Sequence, residues 1–167
     1  MPVTLSDMKY YYSGGLSNSN PLLSTGGEKS DLEVVLSPTK NNLFDDVTSD
    51  ELITGVTEYR CIYLANDNAT DTLQDVLLWV QENTPSDDTA IAIGWSGVTN
   101  DEAEAISPST SAPAGITFVA AVDEANALDL GDMLAGDFVA IWIRRVVDAG
   151  SLPYSSDGFT LRFKGTP

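Results

Sequence analysis

Short segments in which apolar and polar residues alternate recur along this chain, and this period of two predicts β-strands. Residues 58–65 are the clearest example, because every second side chain there points to the same face of a strand. In residues 158–164 the same pattern places Phe159, Leu161 and Phe163 on the inner face. Further strands are predicted at 32–36, 89–95, 116–119 and 137–147.

One apolar segment, residues 71–81, fits two kinds of element. Asp71 could cap a helix whose apolar face holds Leu73, Val76, Leu77 and Val80. A strand fits equally well, and we favour it because almost every neighbouring element has a period of two. Residues 100–105 could hold a single helical turn.

The resulting pattern is seven or eight short strands separated by loops rich in Gly, Pro, Ser, Asn and Asp. Strands do not alternate regularly with long helices, which disfavours a doubly wound parallel sheet. We therefore predict an all-β domain over residues 32–167, an antiparallel β-sandwich of jelly-roll or immunoglobulin-like type.

Residues 1–31 are predicted to form an extended N-terminal arm. Tyr10, Tyr11 and Tyr12 form a short aromatic strand, and Ser13 to Ser30 is too rich in Gly, Ser and Asn to bury much apolar surface. Such a segment is either mobile or ordered against a neighbour. Three consecutive tyrosines cannot all be buried on one strand face, so we predict that they contribute to a partner interface.

Composition narrows the possible functions. The 167 residues include 25 acidic and 8 basic side chains, a net charge of −17, with no histidine and one cysteine. The length fits one domain. The negative charge disfavours nucleic acid as a partner, because it repels phosphate. A chain without histidine has no imidazole base or imidazole metal ligand, and one cysteine cannot form an internal disulfide.

The N-terminal residues and the lengths of the apolar runs predict a protein that is made in the cytoplasm and does not contact a membrane. The first residues have neither the basic region nor the apolar region of a signal peptide. The longest apolar runs, 76–80 and 138–143, are far shorter than the roughly 20 residues that cross a bilayer.

No residue pattern in this sequence is typical of catalysis. Cys61 lies inside a predicted strand, where a small buried hydrophobe is the usual role. Carboxylate pairs such as Asp87–Asp88 and the Asx-rich segments 67–71 and 129–132 lie in loops, and we interpret them as turns rather than acid–base pairs or calcium sites. We therefore predict a protein that is not an enzyme and has no cofactor or metal.

Charge is unevenly distributed along the sequence. Between Asn41 and Asp137, Arg60 is the only basic residue among 19 acids, whereas the last two predicted strands are locally basic. Arg144 and Arg145 in the longest strand are thus candidates for a partner interface. The alternative is that they pair with nearby loop acids on a solvated sheet.

The three tryptophans leave a second function open. Trp79, Trp95 and Trp142 lie inside apolar strands, which favours packing in the core. Exposed tryptophans, by contrast, would fit a carbohydrate-binding β-sandwich module.

Seven segments follow one another over most of the chain, from about residue 42 to 164. They are 42–47, 57–66, 79–86, 91–94, 112–118, 134–137 and 141–145. This succession resembles small β-sandwich virion proteins of tailed bacteriophages. The resemblance implies a capsid decoration or cement protein that binds the major capsid protein on the outside of the virion and self-associates as a dimer or trimer. A tail, baseplate or head–tail adaptor component is the alternative within the same class.

Overall fold

The computed structural model describes residues 2–34 and 39–167, so the end of the predicted strand at 32–36 lies outside the described residues. The strands are β1 Met8–Ser13, β2 Lys29–Glu33, β3 Val56–Asn66, β4 Leu73–Glu82, β5 Thr89–Thr99, β6 Leu128–Met133, β7 Phe138–Val147 and β8 Thr160–Thr166. One short α-helix, α1, spans Ser49–Thr54, and 3₁₀ turns span Pro21–Leu23 and Glu124–Asn126. None of the helices in the described ranges is long and apolar enough to cross a membrane.

The strands form two antiparallel sheets, as the alternating sequence pattern predicts. One sheet has five strands in the order β2-β1-β3-β7-β5, and the other has three in the order β6-β4-β8. The longest pairing joins β3 to β7 over ten residue pairs, from Val56 opposite Val147 to Ala65 opposite Phe138. The predicted all-β sandwich is confirmed.

The main core lies between the two sheets. Alternate residues of β3 and β7, among them Ile62, Leu64 and Ile141, face Val76 and Leu78 of β4 in one cluster of buried side chains. In β8 exposed and half-buried residues alternate, with Leu161 and Phe163 packed against this core. In β8 the residues that face the core are therefore the ones that the sequence pattern predicts.

The opposite face of the five-stranded sheet is also buried, because a loop layer covers it. Tyr59, Cys61, Tyr63 and Trp142 form a second buried cluster there, which packs against side chains of the long loop between β5 and β6. The Tyr63 hydroxyl donates to the Gly27 carbonyl at 2.6 Å and accepts from the Ala103 amide at 2.9 Å. This one side chain thus joins two covering loops to the sheet.

The local elements agree with the sequence pattern in part. Residues 73–82 are strand, so the favoured interpretation of segment 71–81 is confirmed. Residues 100–105 contain no helical turn, and 116–119 forms only one bridge, between Val119 and Ile93. Neither β6 nor α1 was predicted, although Thr48 and Glu51 begin α1 with a reciprocal capping box.

The N-terminal segment is not an extended arm apart from the domain. Strand β1 pairs with β3 from Met8 opposite Asn66 to Tyr12 opposite Ile62, and β2 forms the edge of the same sheet. Hydrogen bonds, rather than apolar burial, hold the polar connection. The Asn18 side-chain amide donates to the Ser13 carbonyl at 2.6 Å, and the Ser30 hydroxyl lies within hydrogen-bond distance of the Asn18 carbonyl, at 2.8 Å, and of the Leu16 carbonyl, at 3.1 Å. The neighbour on which the segment lies is therefore its own sheet.

We predict that Gly94→Ala destabilises the fold by disturbing the loop layer. A Cβ atom at Gly94 would lie 2.5 Å from the Thr117 carbonyl oxygen and 2.8 Å from Ile116 Cγ2, so the loop has to move. Overpacking of this kind costs about 1–3 kcal/mol. Chemical denaturation would measure the free energy of unfolding.

The matched control for this change is Gly158→Ala. A Cβ atom at Gly158 meets nothing within 4 Å, so we expect a change within about 0.5 kcal/mol. Equal effects of the two substitutions would contradict the tight contact between β5 and the loop layer.

Candidate docking surface

A buried cluster of charged side chains lies near one end of the main core. Glu58 of β3 is directly opposite Arg145 of β7, and Arg145 Nε donates to Glu58 Oε2 at 3.2 Å. Arg60 Nη2 lies 3.4 Å from Glu58 Oε1. All three side chains are buried and share the strand face that holds Ile62 and Ile143. A single carboxylate thus bridges two guanidinium groups below the surface.

The segment that precedes α1 closes over this cluster. The Phe44 ring lies 4.7 Å from the Arg145 guanidinium and 5.3 Å from that of Arg60. Arg145 Nη1 donates to the Asp45 carbonyl at 2.8 Å, and the Asp45 carboxylate lies within 4 Å of both arginines. Burial lowers the pKa of the Arg60 guanidinium, while Glu58 and Asp45 oppose that shift. With two positive and two negative groups the cluster is neutral.

Three surface segments meet at the same end of the sandwich. They are α1, the β4–β5 loop (83–88) and the β7–β8 loop (148–159), which follow or precede strand ends that lie side by side. The amides of Gly150 and Ser151 both donate to the Leu52 carbonyl, at 2.8 and 3.0 Å. The Asp148 amide donates to the Asp88 carbonyl at 2.9 Å, and the Leu152 amide to the Asp88 carboxylate at 3.1 Å.

These three segments combine exposed apolar side chains with carboxylates, and we call their surface the acidic end. Ile53, Leu152 and Tyr154 are 70%, 76% and 55% exposed. The segments contain no lysine or arginine. Their acids are Asp50, Glu51, Asp87, Asp88, Asp148 and Asp157. Exposed apolar side chains in segments whose only charged side chains are carboxylates form a surface that a basic partner would complement.

The structure places most of the predicted interface tyrosines inside the fold. The Tyr11 side chain is buried, and its hydroxyl donates to Asp67 Oδ2 at 2.5 Å. Burial, reinforced by Asp67, raises the pKa of Tyr11. Tyr12 is buried and donates to the Asn42 carbonyl at 3.2 Å. Tyr10 is half-buried against the edge of Phe163, with ring centres 6.5 Å apart.

The two predicted interface arginines have different surroundings. Arg145 belongs to the buried cluster, where it pairs with Glu58 of β3 and with Asp45, so it does not lie on a solvated sheet. Arg144 is half-buried, with its guanidinium 5.3 Å from the centre of the Phe118 ring. Three of the five predicted interface residues, Tyr11, Tyr12 and Arg145, are thus enclosed by this chain. Contact of Tyr10 or Arg144 with a partner stays a prediction.

Every basic side chain of this protein has a partner within the chain. Five of them form ion pairs with carboxylates, and three lie over aromatic rings. The ion-paired residues are Lys9, Lys40, Arg60, Arg145 and Lys164. The residues over rings are Lys29, Arg144 and Arg162. The exterior is therefore dominated by carboxylates.

The other candidate groups have simple environments. Cys61 is fully buried, and burial raises the pKa of its thiol. Within residues 2–34 and 39–167, no group of three His, Cys, Asp or Glu side chains is arranged to hold a metal ion. Trp79 and Trp142 are buried and Trp95 is half-buried, so the tryptophans do not form an exposed platform for a sugar ring.

Together, the fold and this surface define a class: an all-β two-sheet domain with an acidic exterior and one apolar, acid-rimmed end. No protein-family model, curated protein or solved structure matches the chain.

Sequence reasoning missed the acidic end as a site. The pairs Asp50–Glu51 and Asp87–Asp88 were visible, but acidic pairs in loops usually serve as solvated turn residues. These acidic pairs form one surface only because the strand pairing brings segments that are distant in the sequence to one end of the sandwich. No charge signal in the sequence singles them out, because the other loops between Asn41 and Asp137 also lack basic residues.

We predict that Glu58→Gln strongly destabilises the protein. The substitution leaves Arg60 and Arg145 buried without their bridging charge, and breaking a buried ion pair costs about 3–5 kcal/mol. Urea denaturation would measure the loss.

Glu124→Gln serves as the matched control for Glu58→Gln, since Glu124 pairs with Lys164 at an exposed site. We expect it to change the free energy of unfolding by less than about 1 kcal/mol. A loss as small for Glu58→Gln would show that the cluster does not hold this end together.

We further predict that Tyr10→Phe and Tyr12→Phe have different effects on the stability of the fold. The Tyr10 hydroxyl is buried with no hydrogen-bond partner among the described residues. Its removal should be neutral or stabilising, because an unsatisfied buried polar group costs about 1–3 kcal/mol. Tyr12→Phe loses the bond to Asn42 and should cost about 1 kcal/mol. Thermal unfolding of the two variants, which remove the same atom, tests this difference; a larger loss for Tyr10→Phe would contradict it.

Proposed function

We propose that this chain is a non-enzymatic structural protein of a bacteriophage virion, a cement or decoration protein. It binds the outer surface of the major capsid protein lattice and stabilises the head. The resemblance of residues 42–164 to small β-sandwich virion proteins suggests this class.

The observation that carries the proposal is the internal use of all eight basic side chains. Each is paired with a carboxylate or lies over an aromatic ring of the same chain, as in Lys164 with Glu124 and Arg162 with Trp79. The surplus of carboxylates then faces outward, in a chain whose net charge is −17. Such an exterior favours a partner with fixed positive charge and keeps decorated particles from adhering to one another.

The architecture also supports a structural role. The paired strands β3 and β7 are covered on one face by the three-stranded sheet and on the other by the loop layer. Close packing on both faces makes the sheet a rigid base for its surface loops. A rigid body that presents a fixed end is suited to linking subunits of a lattice.

Self-association as a dimer or trimer remains part of the proposal and stays a prediction. The carbohydrate-binding alternative is less favoured, because Trp79 and Trp142 are buried and Trp95 is half-buried.

The number of copies per particle tests the proposed function. Purified particles of the phage that encodes the chain would be analysed by quantitative mass spectrometry against the major capsid protein. We expect a ratio near one or a simple fraction of one. A dozen or fewer copies per particle would place the chain in the tail, baseplate or head–tail junction instead. Absence from the particle would overturn the proposal.

A further inference from the structure

We propose that the acidic end is the face by which this protein docks, and that its occupant is a basic protein surface with an apolar centre on the virion lattice. This inference rests on the proposed function and adds which face binds and what chemistry binds to it.

The apolar centre of the acidic end consists of exposed side chains that the fold brings to adjacent segments. Ile53 ends up beside the β7–β8 loop because the neighbouring Leu52 carbonyl accepts two amides of that loop, and Leu152 follows directly after them. The two side chains are 70% and 76% exposed, and Tyr154 two residues further on is 55% exposed. Removing exposed apolar side chains from water favours association, and tyrosine is among the residue types enriched at the energetic centres of interfaces.

The surrounding charge determines the kind of partner. The six carboxylates of the three segments have no lysine or arginine among them. An occupant that brings more negative charge would be repelled, whereas lysines or arginines around an apolar centre would be attracted. The partner is therefore basic at its rim.

The same charge argument disfavours a second copy of this chain as the occupant. A symmetric contact would place the six carboxylates of one copy against the six of the other. A contact with another face of a second copy would meet a surface with few basic side chains, since the chain has 25 acidic residues and 8 basic ones. The occupant is thus a different protein.

The acidic end is held in place before binding. Below it, Glu58 and Arg145 join β3 to β7, and Arg145 holds the Asp45 carbonyl at 2.8 Å. Above them, backbone hydrogen bonds join the β7–β8 loop to α1 and to the β4–β5 loop. A surface that is already ordered loses little conformational entropy on docking, which favours tight binding.

The test is rebinding of the purified chain to particles from which it has been stripped. Leu152→Glu introduces a charge at the centre of the proposed interface, and we expect its dissociation constant to rise at least about tenfold. The matched control is Leu5→Glu, since Leu5 is 79% exposed at a turn outside the three segments. Its dissociation constant should stay within about twofold of the unmodified chain.

A second pair of variants tests the contribution of the carboxylates of the acidic end to binding. Asp87→Lys reverses one charge of the acidic end, and Asp101→Lys makes the same change at an exposed site in the loop layer. We expect Asp87→Lys to weaken rebinding several-fold and Asp101→Lys to have little effect. Binding of the unmodified chain should weaken as salt is raised, because salt screens the attraction.

The experiments distinguish failure of this inference from failure of the proposed function. If the unmodified chain rebinds and Leu152→Glu binds equally well, the inference is overturned while the proposed function stands. If the unmodified chain is absent from particles and does not rebind, both fall. If light scattering shows that the free chain is an oligomer that Leu152→Glu dissociates, the occupant is a second copy and the inference is wrong.

Discussion

The structure depends on one constraint: the central strand pair, β3 with β7, is apolar on both faces and has to be covered twice. Ile62 and Ile141 face the three-stranded sheet, while Cys61 and Trp142 face the loop layer. The ladder between them runs without interruption over ten pairs. A two-layer sandwich would leave the second face in water, so the long β5–β6 loop acts as a third layer rather than as a surface connection.

Because both faces of the central strand pair are covered by apolar side chains, charged side chains are accommodated at the ends of the sandwich. Charged groups enter the core at one end, where Glu58, Arg60 and Arg145 lie together under Phe44 with the Asp45 carboxylate beside them. The loops above them are free to carry acids and exposed apolar side chains, because no strand packing uses those residues. The rigid centre and the proposed docking face are therefore two consequences of the same arrangement.

The strand assignment of β4 came from the period of the neighbouring elements, because its own pattern also fitted a helix. Local alternation was sufficient to predict the strands that have a clear inside and outside, such as β8. It failed for β6, where Gly131 interrupts the pattern, and for residues 13–30, whose order depends on hydrogen bonds from Asn18 and Ser30. Charge and aromatic content also led to the prediction that Tyr12 and Arg145 are interface residues. In the structure both side chains point into the interior from β1 and β7. Which loops meet at one end follows from strand pairing, which a single sequence does not contain.

The most direct test of the doubly covered centre is native-state hydrogen exchange, residue by residue. Amides of β3 and β7 should exchange the slowest in the protein, at a rate set by global unfolding, while those of the edge strands β2 and β8 exchange faster through local opening. If amides of β3 exchange as fast as those of β8, the central pair is not the most stable part of the structure, and its role as the base of the fold is contradicted.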